Sequence, residues 1–527
     1  MKLIRPFIYY REILNYVSML IISLLIGLHM WHYTRLLHKK SPVCCFLLRL
    51  VNYMKPTYQT LIGFIGTIAL CSCTVGPDFV SPSPIIKQTY TSKSTSQFGS
   101  QHIELNKKTS LTWWKEFHSA TLNGLMEQGI KRNYSLTAMR ESLAQAKELV
   151  SASQGQLWPQ AGVNAGIGRQ QYGPATFGPV NLRIEPFSYY QIGPNASYTL
   201  DVFGGIRRTI EKRKALALYQ QHELDAAFLT LTGNIATTSL TIATIKARID
   251  VLKDIIQDDE KNLQLIQKSF TVGSSSRSDV LSAQSQLTND ETLLPSLYQQ
   301  LHVAQNELNV LLGTIPTHSH SLIFHLKDFT LPKKLPLELP SELAHKRPDI
   351  LAAEASLHAA SADIGIATAH LYPNITLSAT LLQEGVIPGA PLSISPNAWS
   401  LLGNLTTPIF SGGTLRAQRR ASIHAYQSAF AQYQEIVLKA FYQVSNLLYA
   451  LKHDAEELAL QKKAMLTAKE SLRIARLSFT AGVVGVLEVL DAERLYAQSR
   501  LGYVNAQAQR YQDTIQLYLA LGGGLHP

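Results

Sequence analysis

Between Leu224 and Phe270 apolar residues return at alternating steps of four and three: Leu224, Phe228, Leu231, Ile235, Thr238, Ile242, Ile245, Ile249, Leu252, Ile256, Asp259, Leu263, Ile266, Phe270. Only Thr238 and Asp259 interrupt this heptad seam, which predicts one α-helix over 206–270 packed lengthwise against other helices. Gly233 is its single glycine and it has no proline, so nothing forces a break. At 1.5 Å of rise per residue such a helix is roughly 100 Å long, beyond what a compact domain holds. A second seam runs from Phe430 through Val437, Val444, Leu451, Leu458 and Leu472 to Phe479, with Asp454 and Gln461 as polar interruptions. It predicts an equally long helix over 414–479.

The stretch before each helix has a different period. Tyr190, Ile192, Ala196, Tyr198 and Leu200 alternate with Gln191, Asn195, Ser197, Thr199 and Asp201. Period two predicts a strand with one greasy and one wet face, the pattern of a transmembrane β-barrel. Pro194 is awkward in the middle of that strand. Residues 161–168, 374–381 and 399–409 alternate in the same way. The Gly/Pro-rich loops 172–186 and 384–396 fall between paired strands and are expected outside the cell. Four strands cannot close a barrel, and lipid tolerates no open edge, so the chain must oligomerise.

The strand-to-rod join occurs twice. Phe203-Gly204-Gly205 has a counterpart in Phe410-Ser411-Gly412-Gly413, Leu157-Trp158-Pro159 in Leu371-Tyr372-Pro373, and Phe270-Thr271-Val272-Gly273 in Phe479-Thr480-Ala481-Gly482. The mature chain therefore reads as a tandem duplication of helix, two strands, long helix, tight turn and returning helix.

The formal charge of +11 changes little. Residues 1–72 carry eight Lys/Arg against Glu12 alone, and the remainder is too diffuse to imply nucleic acid as a partner. Met54 opens a complete export signal, with Lys55, an apolar run over 61–70, and Leu70-Cys71-Ser72-Cys73 as its cleavage site. Residues 1–53 read as an upstream extension of a misplaced start, or else as an uncleaved anchor around 17–30. The cleavage site resembles a bacterial lipobox, which would make Cys73 a lipid-attachment residue; no other cofactor is expected. All four cysteines (Cys44, Cys45, Cys71, Cys73) lie at or before that point, leaving the mature protein no second thiol for a disulfide.

Cys73-Thr74-Val75-Gly76-Pro77-Asp78-Phe79 and Arg347-Pro348-Asp349-Ile350, the latter followed by Ala362-Asp363-Ile364-Gly365, resemble the lipidated TolC-type outer-membrane factors of tripartite efflux pumps, the OprM/NodT group. The resemblance implies a mainly α protein with membrane β: four strands per protomer, a homotrimer closing a twelve-stranded barrel, and a periplasmic α-helical barrel. It implies an exit duct in the outer membrane, joined by a periplasmic adaptor to an inner-membrane RND-type transporter. On this reading the segments are the signal peptide (54–72), a lipidated leader and equatorial piece (73–120), repeats at 121–320 and 343–522, an equatorial linker (321–342) and a tail (523–527). In the family, positions matching Leu487, Glu488 and Asp491 ring the periplasmic mouth, as an apolar constriction and an acidic collar. Capping of the returning helix is the plainer role for the two acids. Val484 stands where relatives carry a polar residue, which weakens any salt-bridged latch. Arg277 and Asp279 are candidate gate partners, and Val272, Gly273, Ala481 and Gly482 the candidate adaptor-contact tips. Glycine there serves either a close approach or a positive φ.

No enzyme motif is present: no P-loop, dinucleotide fingerprint, His-Glu-x-x-His or nucleophile elbow. His318 and His320 have no acid or thiol at ligand spacing and are expected in solvent. A protein-secretion duct and a lumen-free periplasmic tether are the alternatives to efflux.

Overall fold

The computed structural model describes residues 74–83, 97–105, 107, 109–173, 185–315, 324–337, 340–386 and 398–524. The chain divides into two units, Met1–Ser72 and Cys73–Pro527, and every described residue lies in the second. The export signal, Cys73, His318, His320 and most of the loops 172–186 and 384–396 fall outside the described residues.

Four antiparallel strands form one sheet: β3 (Gln160–Gln170), β4 (Phe187–Leu200), β6 (Asn374–Gly385) and β7 (Ala398–Thr406), in that order. The register sorts the alternating residues onto common faces. Tyr198 lies opposite Leu377, Ile375 opposite Leu405, and Leu381 opposite Trp399; on the other face Asn195 lies opposite Thr380, and Ser197 opposite Ser378. Directly opposed residues share a face, so one side is mainly apolar and the other mainly polar. The exceptions are Leu382, Leu402, Ala398, Phe187 and Tyr189 on the wet side and Arg169, Ser188 and Gln383 on the apolar side. Pro194 stays inside β4: it pairs with Val163, while the ladder to β6 skips Gly193 and Pro194. Glycine is required at 193, because a Cβ there would strike the Leu381 carbonyl.

Each pair of strands continues into a 67-residue helix, α3 (Gly205–Thr271) and α8 (Thr414–Thr480). At the first join Gly204 takes a left-handed φ of 78°, and Asp201 accepts hydrogen bonds from the Ile206 and Arg207 amides, both at 2.9 Å. The carboxylate thereby satisfies two of the orphan donors at the helix start. By composition α3 is long and apolar enough to cross a membrane, yet its apolar stretch is buried within the fold. The seam from Leu231 to Ile266 is buried as expected, whereas Phe270 is 40% exposed.

Each repeat opens with a 22-residue helix, α2 (Tyr134–Gly155) or α7 (Pro348–Ala369). The returning helices differ. The second is continuous, α9 (Val486–Ala520), but the first is split at Thr292 into α4 (Arg277–Glu291) and α5 (Leu293–Leu311). Pro295 explains the break, since it has no N–H for the Glu291 carbonyl and its ring crowds that group.

A smaller layer wraps the rods midway. Its sheet joins β1 (Gln97–Phe98), β2 (Gln101–Leu105) and β5 (Lys334–Leu337), with α1 (Ala120–Arg132) and α6 (Pro340–Ala344) beside it. Trp113, stacked on Tyr518 at 5.7 Å, and the buried Trp114, Phe117, Leu122 and Met126 fix this layer to α9 and α3. Arg347 is structural: Nε and Nη2 donate to Asp349 (3.0 and 2.7 Å) and Nη1 to the Ala520 carbonyl (2.8 Å). That bridge ties the start of α7 to the end of α9.

Candidate functional site

The rods end in two turns of the same construction. Gly273 donates to the Phe270 carbonyl and Ser274 to that of Ser269; Gly482 and Val483 repeat the pattern with Phe479 and Ser478. These glycines have φ of 80° and 73°, and a Cβ on either would meet no atom within 4 Å. Their backbone conformation, not a close contact within the chain, is what requires glycine. Val272, Gly273, Ala481 and Gly482 are all exposed.

Leu487, Glu488 and Asp491 lie together on the exposed face of α9, just after the second turn. Neither acid caps the helix through its own side chain: the N-cap is Gly485, Glu488 stands in the first turn, and Asp491 lies beyond it. Asp491 accepts from Arg494 at 3.1 Å, a partner one turn along that the spacing could have suggested. Asp279 is engaged locally, in a capping box with Ser276 that starts α4, with Arg277 exposed beside it. The structure does not bring Arg277 or Asp279 into contact with the α9 acids.

Behind the exposed acids is a buried polar cluster drawn from all four tip helices. Glu493 on α9 is 7% exposed and accepts from Arg476 of α8 at 2.8 Å and from Asn262 of α3. Arg476 also approaches Asp258 at 3.8 Å. Asp259, 5% exposed, faces Asp290 of α4, and its Oδ2 and the Oε2 of Glu493 have no donor. Burial, then the hydrogen bond with Asp290 and the nearby charges of Asp290, Glu493 and Asp258, pushes Asp259 up to about 8. Burial also raises Glu493, against the opposing pull of Arg476. Asp259 was visible as a break in the seam; Glu493 was hidden because the α9 seam around Val486 and Val489 is short.

At the other end of the rods the leader is pinned. Val75 donates to the Phe203 carbonyl at 3.1 Å. Buried Arg208, in the first turns of α3, donates to the Val75 and Gly76 carbonyls, to Asp78 (2.8 Å) and to Glu211 (2.7 Å). Gly76 lies against Gly365, where a Cβ would sit 2.5 Å from the Gly365 Cα, and Phe79 stacks on His358 at 4.3 Å. The two sequence signatures thus pack against each other, and Thr74 rests on Gly204 at the foot of β4.

The family model for outer membrane efflux proteins matches residues 125–314 and 339–523. The chain is 29% identical over 420 residues to the pyoverdine export outer membrane protein OpmQ of Pseudomonas aeruginosa, covering 78% of this chain and 87% of OpmQ. It is 28% identical over 473 residues to the toluene efflux pump outer membrane protein TtgI of Pseudomonas putida, covering 88% and 98% of the two. The outer-membrane channel OprN superposes with a TM-score of 0.78 at 26% identity, over 86% of this chain and 99% of OprN.

Proposed function

The chain belongs to the outer membrane efflux protein family, and from that premise we propose a passive, lipid-anchored duct gated where its rods end. As a family member it is the outer-membrane exit channel of a tripartite efflux pump, a homotrimer working with an adaptor and an inner-membrane transporter. The observation that carries the duct reading is the sheet: one apolar face, one polar face, two unpaired outer strands, and direct continuation into rods of 67 residues. The apolar face suits lipid and the polar face a water-filled lumen.

The gate we assign consists of Leu487, Glu488 and Asp491. Repeated around a threefold axis, the leucines form an apolar constriction and the carboxylates a cation-attracting collar. Opening splays the tip helices when the partners bind, a shift between two states. Val272, Gly273, Ala481 and Gly482 then meet the adaptor, and an RND-type transporter supplies the energy. Cys73 carries the lipid; the pinning of Thr74 beside Gly204, at the foot of the sheet, supports an anchor entering the membrane there.

Planar-bilayer recording on the purified trimer tests the gate. Glu488→Ala with Asp491→Ala should raise the resting conductance and weaken cation preference. An unchanged current removes both residues from the gate, and no current under any condition removes the duct. Mass spectrometry of the mature amino terminus should find Cys73 acylated; an unmodified amino terminus rejects the anchor.

A further inference from the structure

Within one chain, the second strand of the first repeat meets the first strand of the second. Strand β4 pairs with β6, Leu200 opposite Ile375 and Tyr198 opposite Leu377. Just beyond the ladder, Phe203 stacks on Tyr372 with ring centroids 4.7 Å apart and planes 19° from parallel. The counterparts of these aromatics are Phe410 and Trp158, and among the described residues they have no such partner: Phe410 is 91% exposed and Trp158 61%. They flank β7 and β3, the two outer strands of the sheet. The helices show the same imbalance. Helix α7 lies between α3 and α8, whereas its counterpart α2 packs on α3.

We propose that a second copy of this chain completes the missing contact: β7 of one copy pairs with β3 of the next, and Phe410 stacks on Trp158 of the neighbouring copy. The β4–β6 register, carried over by the repeat, places Leu405 opposite Val163 and Leu401 opposite Ile167. All four are exposed on the chain's own apolar face. That agreement is independent of the aromatic match. The second join has one more residue between its phenylalanine and its glycine pair, so aligning the repeats on the glycines would slip the register by one. Leu405 would then face Asn164, and the apolar side of one copy would continue into the wet side of the next. The register that stacks Phe410 on Trp158 keeps the lipid-facing surface unbroken, as no odd slip would, and the aromatic match selects it from the registers two residues away. The proposal rests on the trimeric state described above and adds to it the residues and register that join the copies.

The test uses the full-length protein purified in detergent as Trp158→Cys with Phe410→Cys, treated with a short bis-maleimide. Covalent dimers and trimers are expected from the double variant and from neither single variant. Phe203→Cys with Tyr372→Cys should close within the chain and stay monomeric on a denaturing gel. A second pair leaves the aromatics in place: Leu405→Cys with Val163→Cys should oxidise to intermolecular disulfides, while Leu405→Cys with Ala161→Cys or Ala165→Cys should not. A protein that is trimeric by light scattering but gives no cross-link in either pair overturns this contact and leaves the trimer standing. Disulfides to Ala161→Cys or Ala165→Cys overturn the register. A monomer by light scattering overturns the trimeric state, and the proposal with it.

Discussion

Asp259 lies on an apolar seam with Asp290, Glu493 and Asp258 near it, and burial among these acids favours its protonated form. Its carboxyl ionises near 3.8 when free and at about 8 in the fold. The unfolded chain therefore releases a proton that the folded chain retains. The stability Asp259 contributes is full below about pH 4, falls as the pH rises through the interval, and is lost above about pH 8. Arg476 offsets part of the negative charge, but it contacts Glu493 and Asp258, not the Asp259–Asp290 pair. Thermal unfolding at about pH 5 and about pH 9 should show the wild type losing stability at the higher value, and Asp259→Asn should flatten that difference. An undiminished slope in Asp259→Asn would place the titrating group elsewhere. Arg208 governs the opposite end of the rod by holding two leader carbonyls, Asp78 and Glu211. Arg208→Ala should cost about 2–3 kcal/mol, by the loss of charge-assisted hydrogen bonds from a buried site. Limited proteolysis should then cut near 74–83 first; an unchanged digestion pattern would mean that the Val75–Phe203 bond and the packing of Gly76 and Phe79 hold the leader without Arg208.

At the level of the element, both tip glycines have positive φ and open space within the chain where a side chain would stand, so the turn by itself is sufficient to demand them. Asparagine tolerates that conformation and valine does not. Efflux in cells should therefore survive Gly482→Asn and fall with Gly482→Val; equal loss in both would point to steric fit against the adaptor instead. Much of the architecture was legible because it is periodic. The rods, the four strands and both joins follow from steps of three and four, steps of two, and repeated Gly-Gly pairs. What escaped depends on single residues or on other chains. Pro295 splits the first returning helix through one missing N–H. The Glu493–Arg476 bridge joins segments whose seams meet only in the fold. Phe270 is exposed although it continues the seam, whereas its counterpart Phe479 packs against the tip clusters.

On the scale of the whole molecule the sheet separates two solvents. Leu377 lies between Tyr198 and Gly403 on the apolar face, and Ser378 lies between Ser197 and Leu402 on the polar one. The two residues are consecutive in the same strand, so secondary-structure propensity and depth in the membrane are nearly matched between them. If the apolar face meets lipid, Leu377→Arg places a guanidinium against hydrocarbon and should cost between about 1 and 4 kcal/mol, according to its depth. Ser378→Arg places the same group in a water-filled lumen, where it keeps its hydration and alters the preference for cations more than the stability. Heat-resistant trimer on a semi-denaturing gel should therefore be lost at lower temperature in Leu377→Arg than in Ser378→Arg, while the latter shifts ion selectivity in bilayer recordings. The reverse order would turn the barrel inside out. Equal sensitivity would mean that the two faces meet the same surroundings; a soluble sandwich, which buries its apolar face, would keep the order of stability but show no shift in ion selectivity with Ser378→Arg.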